Sequence, residues 1–461
     1  MTAAAPPHHR LGAHGVGQAE RRRTRRPLLH AGAAFWFATL TGGGHAAIAA
    51  GPLPVPLADG AMTPAAGSSL SLTQSAQVNT AGSIPVYAVD ATGKVASVTT
   101  NAARTLIDWK SYQVDQGYTL NYVVTNASDI VLNRVPSGSS IDISGTITSK
   151  LSSGGSPIAG NLWFLGPSGV FFHDGASVSA GGILATTGSL GAAGFLTDAN
   201  FLDPTNFAFT LSGATGLVQV GGLIGTGTGA TLGAPVSLTT NGGSLVLVSK
   251  TVSSASNATV GSANYAVAGA RSSDTASTLY GAATDYTLTF VDHGYSGLDL
   301  FSFSISAGSD ATDALNLQGV TQTGRVYLAA VNTGAALNRL INLGGAVVAT
   351  NATLSGDAIV LSAGSGLTTD SLSHIVPNAA SGASATAALN ADMTTSSTGT
   401  VTLSATGILN FVSGTLTAGA LSATGQAGIQ FNGGSISTTG AQTYSGASTL
   451  GVDTTDRKSV V

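Results

Sequence analysis

Two stretches near the end of the chain, ILNFVSGTLTAG at 408–419 and GIQFNGGSISTTG at 428–440, align at an offset of 20 residues. Phe411 falls on Phe431 and Leu416 on Ile436. RVYLAAV and GAVVATN repeat at nearly the same distance, Val326 to Val347. A period of about 20 residues built of short strands is the size of one coil of a β-solenoid. One coil cannot bury its apolar side alone. Stacked coils share a core and satisfy each other's main-chain groups at about 4.8 Å spacing.

Composition points the same way. Beyond residue 50 the chain has no Glu, few Lys and Arg, and much Gly, Ser, Thr, Asn and Val. That withholds the strong surface helix formers and favours strands and turns. Strand-like pieces recur with turn residues between them: SIDISGTITS (140–149), SLVLVS (244–249), YTLTFVD (286–292) and AVVATNATLSGDAIVLSA (346–363). In ASVSAG (176–181), Ala176, Val178 and Ala180 would share one side and the serines the other. A β-sandwich array is the alternative, since it too is built of short strands. The period and the scarcity of two-residue hairpin turns favour the solenoid.

The first fifty residues differ from the rest. A basic block (Arg21–Arg23, Arg25, Arg26), an apolar stretch from Leu28 to Leu40 and the small-x-small pattern at Ala47 and Ala49 read as a signal peptide cleaved near Ala49 or Ala50. The alternative, an N-terminal membrane anchor, sits poorly with so short an apolar run and with glycines 42–44. TRRPLL touches a twin-arginine signal, but the route inferred below needs an unfolded chain.

Six of the 17 basic residues and Glu20 lie in that leader, leaving 11 Lys and Arg against 20 Asp, a net charge of −9. Such a surface gains nothing from phosphate neutralisation, which disfavours nucleic acid as a partner. There is no cysteine, so stability rests on packing and main-chain hydrogen bonds.

No catalytic constellation stands out, and neither a cofactor nor a metal is expected. His173, His293 and His374 are far apart, and adjacent pairs such as His173-Asp174 and Asp292-His293 read as turn positions. Asp310 and Asp313 would form a weak oxygen site at best, with a solvated loop as the plainer reading. The sequons at Asn126, Asn257 and Asn351 read as coincidence in so Asn-, Ser- and Thr-rich a chain, with glycosylation kept as the alternative.

Two longer stretches carry a resemblance. DWKSYQVDQGYTLNYVVTNASDIVLNRVPSGSSIDISGTI (108–147) holds Trp109, Asn133 and Arg134, and NLWFLGPSGVFFHDGASVSAGGILATT (161–187) follows it. Together they resemble, in order, the secretion domain of filamentous haemagglutinin-type exoproteins of two-partner secretion. The second is similar to that family's VFLINPNGI-x-F-G-x-G-A-x-V-x-V-G-G-L-x-A-S-T segment. The family's Asn-Pro-Asn-Gly turn is here Gly166-Pro167-Ser168-Gly169. Gly166, Pro167 and Gly169 keep the means to bend, while both asparagine side chains are gone.

The resemblance implies an all-β, right-handed parallel β-helix with coils of about 20 residues. It implies export to the periplasm, then recognition by an outer-membrane barrel transporter with periplasmic domains, and folding outside the cell. The chain then divides into a signal peptide (1–50), a flexible lead-in (51–78), a secretion domain (79–215), a β-helical stalk (216–455) and a tail (456–461). That tail, DRKSVV, breaks the local composition and can be encoded by a common sequencing adapter, so it reads as non-native, with a genuine basic tail as the alternative. The expected function is a large adhesin that binds a host-cell or carbohydrate receptor and is not an enzyme. The alternatives are the stalk of a haemolysin or contact-dependent toxin, or a β-helical carbohydrate-active enzyme, for which the basic residues are too thinly spread.

Overall fold

The computed structural model describes residues 53, 55–56, 85–135, 137–154, 158–189, 198–224, 231–262, 276–292, 297–332, 337–349, 357–370, 375–378 and 384–451. The expected signal peptide with Ala47 and Ala49, most of the expected lead-in, and the tail at 456–461 lie outside these residues.

The described chain winds as a parallel β-helix with three faces. One turn shows the pattern: Thr146–Leu151 lies on the first face, Asn161–Leu165 on the second, Val170–Phe172 on the third, and Ser177–Ala180 returns to the first. Successive coils pair in parallel and in register, Val178 beside Ile147 and Leu238, Ala185 beside Phe164 and Leu247. The first face forms a 12-stranded sheet. The other two join in a 22-stranded sheet because Arg104–Val114 turns the corner between them, pairing with Ile130–Arg134 and then with Ile141–Ile143.

Alternate residues of each strand point inward to one continuous core that runs from Val98 to Ile429. At the N-terminal end Val86–Val89 pairs antiparallel with Val95–Thr99, and Val55 pairs antiparallel with Ser111. These strands close the first coil's open edge.

The 20-residue period holds for the last coils, where Phe411 pairs with Phe431 and Leu416 with Ile436. The two rings stack at 5.2 Å, nearly parallel. Upstream the period breaks. Ser177 pairs with Ser237 and Thr259 with Val320, because excursions leave the coil between them. The apparent repeat of Val326 on Val347 is not structural. Val326 pairs with Ile359 on the second face, and Val347 with Thr321 and Met393 on the first. Both segments carry the same apolar alternation, which every face of such a helix needs.

The excursions build a second layer. Ala208–Leu211, Asp285–Asp292, Leu298–Ala307, Leu367–Thr369 and Ile375–Pro377 form a five-stranded antiparallel sheet, preceded by the short helix Asp198–Leu202. YTLTFVD therefore belongs to this outer sheet and not to a coil. It covers the second face, whose strands are buried on both sides: all five residues of Asn161–Leu165 are buried, as are those of Gly182–Thr186 and Leu245–Ser249. Leu162 and Phe164 point into the helix, and Trp163 and Leu165 point out under the layer.

One outward column on that face runs Leu106, Leu132, Trp163, Leu184, Val246, Leu279, Tyr327 and Val360. It then changes to Thr402, Ser422 and Thr443. The change falls where the outer layer ends. Trp163→Ala should cost about 3–5 kcal/mol in denaturant unfolding, as a core aromatic does. A value under about 0.5 kcal/mol, typical of a surface position, would mean that no layer covers it.

Candidate functional site

The residues carrying the resemblance gather at one corner, where the second face passes to the third. Ile130–Arg134 and Asn161–Leu165 are adjacent coils, with Asn133 beside Phe164 and Arg134 beside Leu165. Gly166-Pro167-Ser168-Gly169 begins where that pairing stops.

The four residues form a turn closed by Gly169 N donating to Gly166 O at 2.9 Å. Pro167 sits second, where its fixed φ suits a turn. Neighbouring coils hold the turn on both sides: Gly166 N donates to Thr186 O at 3.1 Å, and Ile141 N donates to Gly169 O at 3.0 Å. Gly169 has φ +146°. A Cβ there would stand 2.3 Å from the Phe171 ring, and one on Gly166 would stand 2.4 Å from Gly169 O. Both glycines are therefore required by the turn itself. The ends of the turn are buried and Pro167 and Ser168 are half-buried. With its main-chain groups bonded to adjacent coils, the turn stands without the asparagine side chains.

Trp109 and Asn133 meet inside the helix. Trp109 Nε1 donates to Asn133 Oδ1 at 3.0 Å, and the Tyr122 hydroxyl donates to the same oxygen at 2.6 Å. Asn133 Nδ2 donates to Trp163 O at 3.3 Å, and the Tyr112 and Tyr122 hydroxyls lie 2.9 Å apart. All four side chains are buried. Burial pushes both tyrosine pKa values well up, so both hydroxyls stay protonated and able to donate. Tyr87, Trp109, Tyr112, Phe164 and Phe172 continue the cluster edge to face, with centroids 5.4–6.0 Å apart.

Arg134 points outward and grips Asp108 of the preceding coil through two bonds, Nε to Oδ1 at 2.6 Å and Nη2 to Oδ2 at 3.0 Å. Arg104, Asn161 and Asp129 were not singled out from the sequence. Arg104 is buried, its Nη2 donates to Asn206 O at 3.2 Å, and its guanidinium lies 5.1 Å from the Phe207 ring. Burial pulls its pKa down to about 10, against the opposing pull of Asp292, Asp129 and Asp203. Asp129 accepts from Thr125 N and Asn126 N at 3.0 and 2.8 Å. Burial raises its pKa against these bonds. No local pattern distinguishes Arg104 and Asn161, whose partners Asn206 and Leu298 lie far along the chain, whereas Asp129 closes a local turn on Thr125 and Asn126.

Elsewhere the acidic side chains are engaged. Asp310 pairs with Lys250 at 2.7 Å and Asp313 with Arg339, so the oxygen site weighed for the two aspartates does not form. His173 lies 2.8 Å from Asp142 of the preceding coil. Asp174 accepts from Asn257 Nδ2 at 2.6 Å, which occupies that sequon's amide, and the exposed Asn126 bonds Asp129. His293, His374 and Asn351 lie outside the described residues. Among the described residues no three His, Cys, Asp or Glu gather where a metal ion could be held.

The family model described as the TPS secretion domain matches residues 71–371, well over half of the 461. The chain belongs to the TPS secretion domain family. It is a two-partner secretion exoprotein, secreted through the outer membrane to the cell surface or medium, and membership implies a cognate outer-membrane transporter. The match continues well past residue 215, the boundary expected from the sequence. Among curated proteins, the chain is similar to a heme/hemopexin-binding protein of Haemophilus influenzae strain Rd, 26% identical over 99 residues, 22% of this chain and 10% of that one. A second heme/hemopexin-binding protein of Haemophilus influenzae is 31% identical over 81 residues, 18% of this chain and 8% of that one. The matched segments thus span about a tenth of those relatives. Among solved structures, the HMW1 secretion domain from Haemophilus influenzae aligns over 78% of this chain and 97% of its own, at 12% identity and a TM-score of 0.38.

Three substitutions probe the corner of this secretion domain. Asn133→Ala leaves Trp109 Nε1 and the Tyr122 hydroxyl without their acceptor and should cost about 2–4 kcal/mol in denaturant unfolding. Gly169→Ala should cost about 1–3 kcal/mol, whereas Ser168→Asn should be close to neutral. Equal effects at 168 and 169 would contradict the turn geometry.

Proposed function

We propose that the chain is the N-terminal part of a large secreted adhesin, in which the coils under the outer layer form the export module and the coils from Ala385 onward begin a stalk. The observation that carries this reading is the outward column on the second face. It is apolar from Leu106 to Val360 and hydroxyl-bearing from Thr402 to Thr443. The family match ends at residue 371 and the outer sheet at Pro377. From there the coils run with a short, regular period and no second layer among the described residues. In this reading the boundary between export module and stalk lies near residue 380.

In this reading the export module engages the periplasmic domains of its transporter, and the stalk binds a host-cell or carbohydrate receptor through an extended surface, without catalysis. Support for binding comes from the stalk's uncharged surface rows and from the relatives, whose names describe binding of heme and hemopexin. Within the stalk Asn432 Nδ2 donates to Asn410 Oδ1 at 2.8 Å, and Thr402, Ser422 and Thr443 form a hydroxyl row on the second face. Such groups give a long partner equivalent polar contacts from coil to coil.

Export with the cognate transporter tests this. A chain ending after residue 383 should appear outside the cell as the full chain does. A chain ending after residue 215 should not, because it lacks the second half of the matched secretion domain, which runs on to residue 371. Deleting residues 79–190 should abolish export, and undiminished secretion of that deletion would contradict the proposal.

A further inference from the structure

The outer layer and the coils beneath it are joined in an unequal way. Each coil is completed by its neighbours: Trp163 pairs with Leu132 before it and Leu184 after it. The cover over Trp163 comes from much farther along. The Phe209 ring lies 4.7 Å away and the Phe290 ring 5.5 Å.

Strands of the layer pair chiefly with each other, Ala208–Leu211 with Asp285–Asp292 and Asp285–Asp292 with Leu298–Ala307. Their polar attachments to the coils span a hundred residues or more. Arg104 Nη2 donates to Asn206 O, the Thr186 and Tyr286 hydroxyls meet, and Leu298 N donates to Asn161 Oδ1 at 2.9 Å. Shorter links join Leu300 N to Ser244 Oγ at 2.7 Å and Ser244 N to Leu298 O at 2.8 Å.

Beside Leu298 the approach is backbone on backbone. A Cβ on Gly297 would stand 2.7 Å from the Gly181 carbonyl, and one on Gly243 would stand 2.5 Å from Gly181 O and 3.0 Å from Gly297 Cα. Only glycines fit this seat.

We propose that the outer layer is a clasp that closes after the coils have formed and opens without unwinding them, seated by Gly297 on Gly181 and Gly243 and by Leu298 on Asn161. The physical ground is loop closure: the first coils meet over short spans, Trp163 with Leu132 at 31 residues and with Leu184 at 21, whereas Leu298 reaches Asn161 over 137. The named occupant of the apolar second face is thus this chain's own pair of strands Asp285–Asp292 and Leu298–Ala307. In export the first coils would stand with that face bare until Leu298 has crossed. The clasp rests on the export reading only for that order of emergence, and its test needs no transporter.

Beyond the leader the chain has two tryptophans, Trp109 inside the helix and Trp163 under the clasp. The test refolds the processed chain from denaturant. Trp163→Phe leaves Trp109 to report the coils, and Trp109→Phe leaves Trp163 to report closure. The Trp163 signal should develop at least tenfold more slowly. On the unaltered chain, native hydrogen exchange should show the amides of Leu298–Ala307 exchanging at least tenfold faster than those of Asn161–Leu165. Gly297→Val should expose Trp163 to a quencher while the Asn161–Leu165 amides stay protected. Rates within threefold of each other in the unaltered chain, or loss of coil protection in Gly297→Val, would overturn the clasp. Failure of export in cells, with the two exchange rates still separate, would instead count against the proposed function and leave the clasp standing.

Discussion

Main-chain hydrogen bonding between successive coils, parallel and in register, is the constraint on which the rest of this structure depends. It fixes which residues share a column, so one substitution of chemistry repeated along a column becomes a property of a whole face. It also forces every irregularity outward. A coil cannot lengthen within its core without breaking the ladder on both sides. Extra residues therefore leave at corners and must find cover of their own. Here they find it against each other and against the second face, whose outward positions are apolar to receive them.

Polar groups inside the helix obey the same rule. Asn133 is fully buried in the interior of a coil, and its amide is engaged by Trp109, Tyr122 and the carbonyl of Trp163. A satisfied network of this kind sets one register between coils, because a slip by one residue would put the amide outside and leave the indole and the phenol unpaired. The bidentate pair of Arg134 and Asp108 pins the same two coils from the outer side. The secretion domain's corner is thus held from within and from without.

Much of this was legible in the sequence. The offset of Phe411 on Phe431 announced stacked coils, and the turn at Gly166, Pro167 and Gly169 was readable from its residue types. Trp109 and Asn133 were identified by resemblance, but their hydrogen bond joins two coils and has no local signature. The outer layer was not legible. A strand such as Asp285–Asp292 alternates with period two whether it lines a coil or crosses above one, and NLWFL reads as a single buried run whichever way its side chains divide. The extra residues between Ser177 and Ser237, or between Thr259 and Val320, also hid the period over the first three-quarters of the chain. The spurious match of Val326 on Val347 arose from that loss of phase.

In the proposed route the β-helix forms only after the chain has crossed the outer membrane. The absence of native cysteine makes this directly measurable. Ser179 and Thr239 are partners on adjacent coils, sixty residues apart in sequence, at a spacing that a disulfide can bridge. In the variant carrying both Ser179→Cys and Thr239→Cys, protein recovered outside the cell should carry that disulfide, whereas periplasmic protein awaiting export should have both thiols free. Free thiols in the exported protein, or a disulfide in periplasmic protein that is still exported, would contradict it.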